Sequence, residues 1–131
     1  MSAEMTQPTD EQRTILVVDD FDDTRLLLKT FLQKKGYRVI EAANGKQAVA
    51  EAASRQLDLI IMDVEMPELD GLSATRKIRT MANPEELPIV VVSAYGADQF
   101  RAEALAAGCN EYVSTPFEPD KLEKLIEALI K

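Results

Sequence analysis

Five times along this chain of 131 residues, a short apolar run rich in β-branched side chains gives way to a stretch with helical period. That alternation restricts the fold more than any other feature. Thr14–Val18 (TILVV) is apolar without interruption, the pattern of a strand covered on both faces in a parallel sheet, and Asp19 and Asp20 end it. A helix is expected from Asp22 to Lys35, with Leu27 and Phe31, and Leu28 and Leu32, stacked four apart on its inner face and Gly36 as its stop. Arg38–Glu41 reads as the second strand, and Asn44–Gln56 as a helix with Ala48, Val49 and Ala52 inward. Leu57–Met62 (LDLIIM) is the third strand, delivering Asp63 at its end. The loop EMPELDG, a helix from Gly71 to Met81 and a loop over Asn83–Glu86 lead to Pro88–Val92 (PIVVV), which ends at Ser93. Ala97–Ala107 is the fourth helix, closed by Gly108, and Glu111–Ser114 the fifth strand. A last helix from Pro119 places Leu122, Leu125, Ile126, Leu129 and Ile130 on one face. Right-handed crossovers then put helices on both faces of a parallel α/β sheet, and ligands bind beyond the carboxyl ends of its strands.

Composition narrows the function. The formal charge of −8 argues against contact with nucleic acid or anionic lipid, which clustered Lys and Arg would provide. Histidine is absent, which removes imidazole bases, the usual catalytic triads, His-bound metals and any phosphohistidine within the chain. Cys109 is alone and reads as a small packing residue. No apolar run reaches the roughly 18–20 residues that span a bilayer. The start, MSAEMTQPTDEQR, lacks the pattern of a signal peptide, so a cytoplasmic location is expected. Residues 1–13 are expected to be a disordered tail and 14–131 a single domain.

Asp19 and Asp20 close strand one, and Asp63 closes strand three. If those strands are neighbours, three carboxylates converge in a partly desolvated cleft and repel one another. Mg²⁺ resolves that conflict, since it favours a few carboxylates, a backbone carbonyl and retained waters. For Asp19 or Asp20 alone, helix capping is the better reading; both acids together with Asp63 favour a metal. Ser93 adds a hydroxyl able to donate to a phosphoryl oxygen, although such a serine alone is more often a loop cap. Neither GxxxxGK[ST] nor GxGxxG occurs. Asp63–Asp70 has a superficial likeness to a calcium loop, but its twelfth position is Ala74. Asp20 and Asp22 have the DxD spacing of an aspartyl phosphohydrolase without room for a substrate pocket.

The segments ILVVDD, DVEMPELDG, VVVSA and EYVSTPF, in this order and spacing, resemble the receiver domains of bacterial response regulators over nearly all of Thr14–Lys131. The resemblance implies a flavodoxin-like, three-layer, doubly wound fold with strand order 2-1-3-4-5 and five flanking helices, like that of single-domain chemotaxis receivers. It implies Asp63 as phosphoacceptor, a carboxylate nucleophile. Mg²⁺ would be bound by Asp20, Asp63 and the backbone carbonyl of Glu65, with Asp19 acting through water. Ser93 would be the switch hydroxyl and Tyr112 the aromatic that turns inward with it, although a core tyrosine is the blander reading. Gly71 fits the turn into helix three, and Pro116 fits a cis peptide. The donor would be a histidine kinase or histidine phosphotransfer protein. A protein target would be met through the face of helix four, strand five and helix five, near Tyr95, Phe100, Tyr112 and Phe117, of which Phe100 and Phe117 read better as core. A monomer or weak dimer is expected.

One position departs from the pattern. Similar domains carry lysine immediately before the proline that ends strand five, and this chain has Thr115 there. A neutral hydroxyl does not replace the charge-assisted contacts of an ammonium. The leading expectation is a phosphorylation-dependent switch, not a turnover enzyme. The alternative is a phosphorylation-independent interaction domain that keeps the fold and the acids but not the switch.

Overall fold

The computed structural model describes residues 12–94, 100–116 and 118–130. The strands are β1 (Thr14–Val18), β2 (Arg38–Ala42), β3 (Leu59–Asp63), β4 (Ile89–Ser93) and β5 (Glu111–Ser114). Between and after them lie α1 (Asp22–Lys34), α2 (Gly45–Ser54), α3 (Gly71–Arg79), α4 (Phe100–Ala107) and α5 (Pro119–Leu129). All strand pairs are parallel and the order is β2-β1-β3-β4-β5, as expected.

Alternate residues of the three central strands feed two separate cores. Leu16, Val18, Ile60, Met62, Ile89 and Val91 face one way and pack with Ala48, Leu72, Ile78 and Ala104 from α2, α3 and α4. Ile15, Val17, Leu59, Ile61, Val90 and Val92 face the other way and pack with Leu32, Leu122 and Ile126 from α1 and α5. Burial on both faces is why these runs are apolar without alternation. Each fully buried Ile or Leu contributes about 1.5–3 kcal/mol relative to exposure.

The inner stripe of α1 is Leu28, Phe31 and Leu32. Leu27, expected on that face, is instead 72% exposed. Leu28, Phe31 and Leu32 already form the i, i+3, i+4 stripe, and one residue back the helix has turned by about 100°, which carries Leu27 off it. The helix ends at Lys34, one residue short of the expected Lys35, and Gly36, the expected stop, follows the Lys35 cap with a left-handed φ of 96°.

Other boundaries move for hydrogen-bonding reasons. Asn44 is the cap of α2 and not its first residue, its side chain accepting from Gln47 N at 2.9 Å. Asp58 N donates to the Thr14 carbonyl and its Oδ2 accepts from Thr14 N at 2.7 Å, a local exchange that precedes the strand, and β3 begins at Leu59. The last turn after α3 is tightened by Met81 N donating to Ile78 O at 2.8 Å, so the helix stops at Arg79. The expected start of α4 at Ala97 lies outside the described residues, as do residues 1–11 of the expected tail. Arg13 O already accepts from Arg38 N at 2.8 Å, and Gln12 Nε2 donates to Gly36 O. Among the described residues no helix is long and apolar enough to cross a membrane.

Candidate functional site

Because β1 and β3 are neighbours in register, with Val18 opposite Met62, the residues that follow them meet at the carboxyl edge of the sheet. Carboxylate oxygens of Asp19, Asp20 and Asp63 lie within 4.8 Å of one another. The segment that carries the first two is fixed by its backbone. Asp19 N donates to Ala42 O at 3.1 Å, Asp19 Oδ1 accepts from Phe21 N at 2.9 Å, and Arg25 Nη1 donates to Asp19 O at 2.8 Å. Phe21, not an aspartate, occupies the cap of α1 and makes no side-chain cap bond. The capping reading of Asp19 and Asp20 therefore fails, and the carboxylates are left facing Asp63.

The electrostatics follow from this crowding. Burial pushes the Asp63 carboxyl up to about 7, and the like charges of Asp19 and Asp20 push the same way. Burial also raises Asp19, against the lowering effect of the Phe21 N–H. All the donors here are hard oxygens grouped tightly enough to surround one small cation, so the residues fit Mg²⁺. Asp22, the other half of the DxD pair, turns instead to Arg25 at 2.7 Å. Asp70 caps α3, accepting from Ser73 N and Oγ, which breaks up the calcium-loop pattern.

On the other flank of Asp63 stand the ends of β4 and β5. Ser93 is 2% exposed and pairs in register with Ser114. Thr115 Oγ1 donates to the Ser93 carbonyl at 3.1 Å, and the Thr115–Pro116 peptide is cis. A cleft of about 350 Å³ joins these residues to the acids and is also lined by Phe21, Thr24 and Leu28 of the α1 region. Tyr112 is buried, with the Arg101 guanidinium 5.1 Å from its ring centre. Glu65 is exposed beside the acids, and Phe100 is half-buried against the core. Tyr95 and Phe117 lie outside the described residues. Gly71 sits where a Cβ would collide with the Asp63 carbonyl, and its N–H donates to Val64 O at 2.8 Å. Sequence reasoning missed Arg25, Phe21 and Thr24 at the site and read Leu28 only as helix packing; the i, i+3 spacing of Asp22 and Arg25 was the one signal for the first three.

The sequence pattern described as the response regulator receiver domain matches residues 15–127. The chain belongs to the response-regulator receiver family. This receiver is 37% identical over 116 residues to an uncharacterized 14.6 kDa protein of Leptolyngbya boryana, covering 88% of each chain. It is 35% identical to the transcriptional regulatory protein ResD of Bacillus subtilis, over 89% of this chain but 48% of ResD. The receiver thus spans about half of that relative.

Two solved structures bear on the site. The receiver domain of the sensor histidine kinase PA1611 from Pseudomonas aeruginosa PAO1, with a magnesium ion coordinated in its active-site cleft, is 36% identical. It superposes with a TM-score of 0.82, over 90% of this chain and 97% of that one. The response regulator TrrA from Thermotoga maritima, in complex with Mg²⁺ and BeF, is 34% identical with a TM-score of 0.81, over 91% and 100%. Receivers of this family are signalling switches of two-component systems.

Proposed function

We propose that this receiver, a single domain over residues 14–131, is a phosphoacceptor switch of a two-component system or phosphorelay, charged on Asp63. The observation that carries the reading is the half-buried Asp63 carboxylate grouped with Asp19 and Asp20 at the carboxyl edge of the sheet. Asp20, Asp63 and the Glu65 carbonyl would hold Mg²⁺ directly, and Asp19 through water. When bound, the ion supplies charge neutralisation and in-line alignment of a phosphoryl group.

The chain's own part is nucleophilic. An Asp63 carboxylate oxygen attacks the phosphorus while the bond to the donor breaks, the leaving group departing with the electron pair. The donor is the phosphoimidazole of a histidine kinase or phosphotransfer protein, since this chain contains no histidine. Asp19 and Asp20 keep the acceptor in an anionic setting that a cation must complete. The Ser93 hydroxyl, at the end of the strand next to β3, donates to a phosphoryl oxygen and draws the β4 end inward. Tyr112, on β5 beside β4, follows that movement. The changed surface of α4, β5 and α5 then meets a protein target in the cytoplasm, with the receiver a monomer or weak dimer. Glu65, exposed beside the acceptor, and Tyr95 set the rate at which water removes the phosphoryl group. The receiver performs no turnover beyond its own charging and slow discharge.

Incubation with acetyl phosphate and Mg²⁺, followed by intact mass measurement, tests this. Wild type is expected to gain one phosphoryl group and Asp63→Asn none; an unchanged wild-type mass overturns the reading. Thr115 favours a second one, a phosphorylation-independent interaction domain, because its hydroxyl is turned to the Ser93 carbonyl and offers no positive charge to the acceptor. That same unchanged mass is its signature.

A further inference from the structure

We infer that the cleft beside Asp63 receives one primary alkylammonium group, the side chain of a lysine presented by a docking protein. The inference rests on the reading of Asp63 as an anionic centre that binds Mg²⁺. Strand order divides the surroundings of Asp63 into two flanks. Asp19 and Asp20 stand on the β1 side, so ligands for a divalent ion come from there. Ser93 and Thr115 stand on the β4 and β5 side.

This second flank is short of positive charge and of donors. Among the described residues, the lining of the cleft contains three aspartates and no lysine or arginine. Arg25, the nearby cation, is engaged by Glu41, by Asp22 and by the Asp19 carbonyl. Thr115 spends both its N–H and its hydroxyl on one acceptor, the Ser93 carbonyl, at 2.8 and 3.1 Å. The Ser93 hydroxyl makes no hydrogen bond among the described residues, although the residue is 98% buried. No buried side-chain oxygen among the described residues lacks a partner, so the unbonded Ser93 hydroxyl is not fully enclosed, and Ser93 lines the cleft.

Shape selects the ligand. The volume of about 350 Å³ is lined by the apolar side chains of Leu28, Ile61 and Val92 as well as by the carboxylates. An apolar wall with an anionic end matches a side chain that buries its methylenes and keeps a compact charged head with three donors. Asp63 and Ser93 supply acceptors for that head. Phe21, which also lines the cleft, is 63% exposed, apolar surface that suits a protein partner better than a small solute. The net charge of −8 favours the approach of a basic partner.

The test is a titration of wild type with n-butylammonium, followed by backbone amide shifts in Mg²⁺ buffer without phosphodonor, at constant ionic strength. Saturable shifts are expected at Leu28, Ser93 and Thr115, and tetramethylammonium, with the same charge but no N–H, is expected to produce none. N-acetyl-lysine methylamide is expected to saturate the same amides. Thr115→Met places a neutral stem in the slot and should weaken binding by at least about tenfold. Thr115→Val leaves the slot open and should bind as wild type does. The absence of saturation, an equal response to tetramethylammonium, or unaltered binding by Thr115→Met overturns the inference. Exclusion of the lysine amide while n-butylammonium binds overturns the docking claim. Because no phosphodonor is present, this result is read separately from the mass measurement on Asp63, and either can fail alone.

Discussion

Asp63 is a costly residue for the metal-free fold. Burial and then the like charges of Asp19 and Asp20 push its carboxyl up to about 7 from an ordinary value of 3.8, because they disfavour the anion. The folded state therefore holds the proton more tightly than the unfolded state between those values, and stability falls as pH rises through that window. In metal-free buffer, Asp63→Asn is expected to raise the melting temperature at pH 7.5 by about 3–5 °C, equivalent to roughly 1 kcal/mol. The gain should shrink toward pH 4 and on addition of Mg²⁺; thermal melts across pH, with and without the ion, check this. Gly71 is tied to the same spot, since any Cβ there meets the Asp63 carbonyl. Gly71→Ala is expected to cost about 1–3 kcal/mol in urea unfolding, because backbone must shift and not merely a flexible side chain.

At the scale of elements, Arg79 holds together parts that sequence patterns treat as independent. From the end of α3 its guanidinium donates to Gly108 O at 2.7 Å, to Leu87 O at 2.8 Å, to Ala82 O and to Asn110 Oδ1. It thereby ties the ends of α3 and α4 to the starts of β4 and β5. Arg79→Met should cost about 2–3 kcal/mol in urea unfolding, and Arg79→Lys should restore little, because a point charge cannot serve four acceptors in a plane. Strand assignments were legible because β1, β3 and β4 are apolar on both faces, and Thr14–Val18 and Glu111–Ser114 have the expected bounds. Leu27 was misplaced because three consecutive leucines leave the phase of a helix undefined until its neighbours are known. Leu27→Glu is accordingly expected to change stability by less than about 0.5 kcal/mol, whereas Leu32→Ala should cost about 2–5 kcal/mol in the same unfolding assay.

For the whole molecule, the order of the sheet turns local motifs into a site. Nothing in ILVVDD or DVEMPELDG by itself brings Asp19 or Asp20 near Asp63; the adjacency of β1 and β3 does. That much was readable from alternating elements and strand-end acids. The occupied hydroxyl of Thr115, the apolar cleft walls and the clamps made by Arg25 and Arg79 depend on contacts between distant segments, which carry no periodic signal. In the role proposed above, this acid group, filled by one ion, makes Asp63 an acceptor for phosphate. Peptide mapping after exposure to acetyl phosphate, in Mg²⁺ and in chelator, tests it most directly. One phosphoryl group is expected, on the peptide containing Asp63 and only with Mg²⁺; modification elsewhere, none at all, or equal modification in chelator would refute that role.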